Sequence, residues 1–133
     1  MLSDTIVARP EFIEGMRLYN AGDFYEAHEQ WETLWLAEEN EEPRLFLQGL
    51  IQMTSAFHKL FGQRQVEGAH RLLERALAKL EPYPAQYGGI ALAPLREGAR
   101  ACLIDIADLR RLGLGVERFD RGMVPVMRLR GDD

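Results

Sequence analysis

Asp23-Phe24-Tyr25-Glu26-Ala27-His28-Glu29-Gln30-Trp31-Glu32-Thr33-Leu34-Trp35 is the stretch on which the reading of this chain turns. At about 100° per residue, Phe24, Ala27, Trp31, Leu34 and Trp35 fall in one arc of a helix, the expected core face. His28 lies inside the edge of that arc and Glu32 sits at its border one turn later, so the two stack as i, i+4 neighbours. Glu26 and Glu29 face outward. Asp23 has the character of an N-cap and Glu26 stands in capping-box position, so the helix is expected to open at Asp23 and run to about Glu38.

Outward from this helix the chain reads as four more, joined by short breaks. Upstream, Pro10 to Tyr19 forms the first, ended by Asn20-Ala21-Gly22. Downstream, the acidic joint Glu39-Asn40-Glu41-Glu42 meets Pro43, which is expected to start the third helix, Arg44 to about Phe61. That helix is apolar around most of its circumference. Gln48, Gln52, Ser55 and Lys59 form its narrow polar stripe, and Leu50, Ile51 and Phe57 are expected to be deeply buried. Gly62 breaks it. A fourth helix runs from about Gln65 to Leu80, an irregular connection holds Pro82, Pro84 and Gly88-Gly89, and a fifth helix spans about Pro94 to Leu112. Its apolar face includes Cys102, which reads as a small core residue and not as a nucleophile. Residues 116–133 lack a helical period, yet their Met and Val residues favour a packed extended arm.

The fold expected is therefore all-α: about five helices, two helical hairpins closed by a C-terminal helix and arm, in one domain over residues 1–133. Composition agrees. The 33 Ala plus Leu outnumber the 14 Val, Ile and Thr, a helical bias. A single cysteine excludes an internal disulfide framework. Lys and Arg number 16 against 21 Asp and Glu, a net charge of −5. Residues 1–42 carry two Arg and eleven acids. That argues against a nucleic-acid partner, and no basic stripe with interleaved aromatics follows. No uncharged apolar run approaches the ~18 residues of a membrane span, and residues 1–4 lack the order of a signal peptide. A soluble, cytoplasmic protein is the expectation.

A weak internal repeat adds a second copy of the central feature. Ala27-His28 recurs as Ala69-His70, and the same offset of 42 carries Glu32 onto Glu74. Both copies fall on the second helix of a helical hairpin.

Three histidines, His28, His58 and His70, are the imidazoles available for metal chemistry. Were the second, third and fourth helices to pack together, all three would converge with Glu32 and Glu74. His28-Glu29-Gln30-Trp31-Glu32 resembles the zincin pattern, but Glu32 replaces its second histidine, which excludes a zincin. Glu67-Gly68-Ala69-His70 fits the Glu-x-x-His element of di-iron bundles. The required second copy is missing, because position 25 is Tyr. No Ser-His-Asp set, phosphate loop or dinucleotide fingerprint occurs, so no nucleotide cofactor is expected.

The segment Gly22 to Trp35, with Phe46-Leu47-Gln48-Gly49-Leu50-Ile51-Gln52 and Gly68-Ala69 through Leu72-Leu73-Glu74-Arg75-Ala76-Leu77, resembles domain of unknown function 309. The likeness covers about residues 10–80. Its defining pattern, His-x-x-x-Glu-x-x-Trp/Tyr, corresponds to His28, Glu32 and Trp35. The resemblance implies an all-helical fold, no established activity, and a suggested divalent metal at the motif, with "metal-dependent hydrolase" as an inferred label.

Two uses of these residues stand side by side. In the first, His28 and Glu32 bind a metal ion with weaker support from His58, His70 or Glu74, Trp35 walls the site, and Gln48 and Gln52 orient the Glu32 carboxylate or a water. In the second, His28 and Glu32 form a hydrogen-bonded structural pair. The chain is then a helical interaction module or a homo-oligomer, its acidic surface at Glu38–Glu42 meeting a partner. Glu74 is expected to pair with the flanking Arg71 or Arg75.

Overall fold

The computed structural model describes residues 9–131. The expectations drawn from residues 1–4 and from the last two residues of the arm lie outside that range. Among the described residues the chain forms α1 (Pro10–Asn20), α2 (Phe24–Ala37), α3 (Glu41–Phe57), α4 (Val66–Leu80), β1 (Gln86–Tyr87), β2 (Ile90–Ala91) and α5 (Leu92–Leu112). The fold is all-α, with one minimal hairpin.

Each helix packs on the next in sequence, α1 on α2, α2 on α3, α3 on α4 and α4 on α5. The two helical hairpins expected from the sequence thus stack through α2 and α3. The core between them holds Phe12, Trp31, Phe46, Leu50, Met53, Phe57 and Leu73, all with no exposed surface. Trp31 locks α1 to α2: its indole N–H donates to the Phe12 carbonyl at 3.1 Å. Gly15 lies beneath the ring, where any Cβ would collide with the indole.

Several local expectations change. Asp23 precedes α2 and its carbonyl accepts from Ala27 N–H at 3.0 Å, but its side chain caps nothing, so no capping box forms. Helix α3 begins at Glu41 and not at Pro43. Proline is tolerated anywhere in a first turn, where no N–H is needed, so the acidic joint becomes the helix start. Ile51 is half-buried, not deep in the core like Leu50 and Phe57. After Phe57 the chain widens into one π-helical turn over His58–Gly62, with Gln63 N–H reaching back to the His58 carbonyl at 3.2 Å.

The connection before α5 is a hairpin turning through Gly88 (φ 61°) and Gly89 (φ 86°). Two successive positive φ values are what a tight two-residue hairpin turn requires. Helix α5 starts at Leu92, ahead of Pro94, because Leu92 and Ala93 N–H both reach the Ala85 carbonyl.

The C-terminal arm is packed, as expected, but not simply extended. It makes two 3₁₀ turns, Val116–Arg118 and Arg121–Met123. Leu129 then bridges to Ile90. Val116, Phe119 and Met127 are buried. Asn20 holds the arm through both amide atoms, donating to the Met127 carbonyl at 2.9 Å and accepting from its N–H at 2.8 Å. Tyr19 adds a bond to the Pro125 carbonyl at 2.7 Å. No helix among the described residues is long and apolar enough to cross a membrane.

Candidate functional site

Helix α2 presents His28 and Glu32 on one edge, as their spacing dictates. His28 Nε2 lies 3.5 Å from Glu32 Oε2, with the side chains 24% and 42% exposed. This is a half-solvated pair at the core edge, not a buried one. Trp35, one turn further on, is half-buried, and its ring is covered by the Arg44 guanidinium at 4.3 Å. Arg44 Nε also donates to the Trp35 carbonyl at 3.3 Å, tying the end of α2 to the first turns of α3. The sequence offered no signal for this contact, since it depends on how two helices cross.

Opposite α2, helix α3 contributes Gln48, Ile51 and Gln52. With Glu32 and Trp35 they line one cleft of about 140 Å³. Four of the five residues expected at the site from sequence, Glu32, Trp35, Gln48 and Gln52, therefore meet in one place, and His28 stands beside Glu32. Ile51 is the member that sequence reading assigned to the core instead. Neither glutamine hydrogen-bonds the Glu32 carboxylate. Two polar atoms of this cleft's side chains, Trp35 Nε1 and Gln52 Oε1, are buried without any hydrogen-bond partner. An unpaired buried donor or acceptor costs ~1–3 kcal/mol, so each calls for an explanation.

The other imidazoles do not join. Tyr25 is flanked by both His28 and His58, at ring distances of 6.0 Å and 5.3 Å. His58 folds over Gly62, where a Cβ would lie 2.8 Å from its Nδ1. His70 pairs with Glu74 on its own helix at 3.7 Å, and Arg71 and Arg75 instead line a recess with Lys59. The expected gathering of three histidines with Glu32 and Glu74 is thus not met. Among the described residues no three His, Cys, Asp or Glu side chains group so as to hold a metal. Spacing along one helix sets the i, i+4 pairs, but convergence needs helix orientations that spacing does not encode.

Cys102 is buried, its sulfur 3.4 Å from the Met123 carbonyl. Burial, reinforced by Asp105, pushes its thiol up to about 12. It stays protonated, in keeping with a core residue.

Residues 12–72 match the family model described as "Domain of unknown function (DUF309)". The matched stretch is similar to that family, as its residues suggested, and it includes every candidate side chain except Glu74. A protein described as "Uncharacterized protein" from Aquifex aeolicus (strain VF5) is 32% identical over 83 residues, which cover 62% of this chain and 25% of the relative. The chain thus spans about a quarter of that relative's length.

Proposed function

We propose that this chain is a helical binding module whose recognition centre is the cleft of Glu32, Trp35, Gln48, Ile51 and Gln52, and that it receives an amide group of a partner. One observation carries the reading: a donor, Trp35 Nε1, and an acceptor, Gln52 Oε1, both left unpaired in side chains that wall one cleft. A peptide or carboxamide group offers the matching acceptor and donor together. Both atoms are closed off from solvent in the free protein, so pairing requires the two side chains to turn toward the partner, and it then recovers what their burial costs. His28 and Glu32 fix the α2 edge of the cleft in this reading.

The two tryptophans make the test direct. Trp31 N–H is already bonded to Phe12, whereas Trp35 N–H is free of partners. On titration with a capped alanine peptide, the Trp35 indole resonance should shift saturably while that of Trp31 stays in place. Gln52→Leu should abolish the shift. A shift that does not saturate, or that Gln52→Leu leaves intact, overturns the amide reading.

A metal-dependent hydrolase is the second reading, favoured by the 3.5 Å approach of His28 and Glu32. Two donors stand where a zinc site takes about four. The described residues bring no third acid, thiol or imidazole to them, so they do not complete such a centre by themselves. Metal content after supply of zinc, manganese, iron or nickel separates the two readings. Stoichiometric metal that is lost in both His28→Asn and Glu32→Gln would install the second and displace the first.

A further inference from the structure

Next to the cleft lie two further recesses, sharing lining residues in turn, that form a groove the proposed amide site leaves unused. Trp35 and Gln48 lead into a recess with Glu39, Glu41, Arg44 and Leu45. Glu41 and Leu45 in turn border a cavity of about 460 Å³ between the start of α3 and the end of α4. That volume lies within the ~300–1,000 Å³ of typical ligand sites. Its floor is apolar, with Ala78, Pro82 and Pro84 beside Leu45, itself 39% exposed.

The rim carries unneutralised negative charge. Glu39 and Glu41 are exposed and make no ion pair among the described residues. Glu42 accepts from the Tyr87 hydroxyl at 3.2 Å but meets no cation. Arg44, the nearest guanidinium, is engaged by the ring and carbonyl of Trp35, which leaves Lys79 as the groove's own cation on the α4 wall. The rim is also held in place. Glu41 and Glu42 form the first turn of α3, where the helix dipole favours carboxylates. Tyr83 pins that turn by donating to the Glu42 carbonyl.

We infer that this groove docks a basic segment of another protein, with an aliphatic side chain seated on Leu45 and an Arg or Lys meeting Glu39, Glu41 and Glu42. The inference rests on the binding-module reading but uses different residues from the amide cleft. Apolar floor and acidic rim together select the occupant: an acidic segment is repelled, and a purely polar one leaves the floor unfilled. Because the rim is preformed, little ordering opposes docking.

The probe is a short labelled peptide of Leu, Ala and Arg, compared with one carrying Glu for Arg and one lacking Leu. The Leu/Arg peptide should bind the intact chain, and about tenfold more weakly at high salt or to the Glu39→Gln/Glu41→Gln variant. Leu45→Ser should weaken it by a similar factor, and neither control peptide should bind appreciably. Matching melting curves exclude misfolding of the variants. Absence of binding, equal binding by the Leu-less peptide, or indifference to all three substitutions overturns the inference. The Trp35 indole keeps the two proposals apart. Glutamate-dependent binding of the Leu/Arg peptide, with no Trp35 response to the alanine peptide, upholds the groove and rejects the amide cleft. The reverse pattern rejects the groove alone.

Discussion

His28–Glu32 on α2 and His70–Glu74 on α4 are two copies of one local arrangement. Each histidine follows a fully buried alanine, Ala27 or Ala69, and each lies within 4 Å of the glutamate one turn later, at 3.5 Å and 3.7 Å. Their surroundings differ. Beside the α2 pair, helix α3 supplies Gln48, Ile51 and Gln52, and Trp35 closes a cleft, two of whose side chains, Trp35 and Gln52, hold a buried unpaired polar atom. The Glu74 side chain is 59% exposed, and it lines none of the clefts described above. The contrast teaches that an i, i+4 pair is cheap for a helix to make. A site arises only where the neighbouring helix turns polar side chains toward it.

That account makes α3 the decisive element, and its two sides should respond unequally. Leu50 is fully buried among both helical hairpins. Leu50→Ala should cost about 2–5 kcal/mol in denaturant unfolding, the largest effect expected here. Ile51→Ala, at the half-buried wall of the cleft, should cost well under half of that. Equal losses would mean that the cleft is as tightly packed as the core, and the distinction between the two surroundings would collapse.

Alkaline pH probes the same helix from its other end. Burial holds the Tyr19 phenol far above its ordinary 10.0. Burial first, and the Glu42 carboxylate second, raise Tyr83 and Tyr87 beside the start of α3. The unfolded chain therefore gives up these protons first. The tyrosines' share of stability is intact below about pH 10 and falls as pH rises through the higher folded values. Cys102, raised from 9.0 to about 12, begins its own loss about one unit lower. Melting temperature should begin to fall at about pH 9, where Cys102 contributes, and decline more steeply beyond about pH 10. Tyr83→Phe with Tyr87→Phe should flatten the α3 share of that decline, and Tyr19→Phe the share belonging to the arm. A decline unchanged in both variants would place its origin elsewhere.

Much of this arrangement was legible in the residues. Glycine and proline punctuation located the helices to within a few positions, and the 3.6-residue period gave α2 its buried face, Trp31 included. The start of α3 was misjudged because Pro43 reads equally well at any first-turn position. The strands escaped because two residues carry no period. Gln48 and Gln52 were identifiable as candidates from polarity on an apolar helix, Glu32 and Trp35 from their helical spacing after His28 and the family resemblance, and the four do share a cleft. Their unpaired atoms were not readable, because satisfaction of Trp35 Nε1 or Gln52 Oε1 depends on rotamers and on what faces them. The convergence expected of His58 and His70 failed for the related reason that helix orientation is a tertiary property.

The finest test replaces each pair in parallel, where the expected energies are smallest. A buried His–Glu pair would cost about 1–3 kcal/mol to break. Here the glutamates are 42% and 59% exposed, so water already shares their solvation. Glu32→Gln and Glu74→Gln should therefore each cost only about 0–1 kcal/mol. His70→Asn should cost slightly more than His28→Asn, because the His70 side chain is 12% exposed against 24%. Stability alone would then leave the two copies nearly indistinguishable. The Trp35 indole resonance should not: it borders the cleft that Glu32 lines, so Glu32→Gln should move it and Glu74→Gln should leave it where it is. An equal shift from both would show that α4 communicates with the cleft, and the separation drawn between the two copies would have to be given up. A shift from Glu32→Gln alone would show that identical local spacing carries different consequences according to what α3 presents to it.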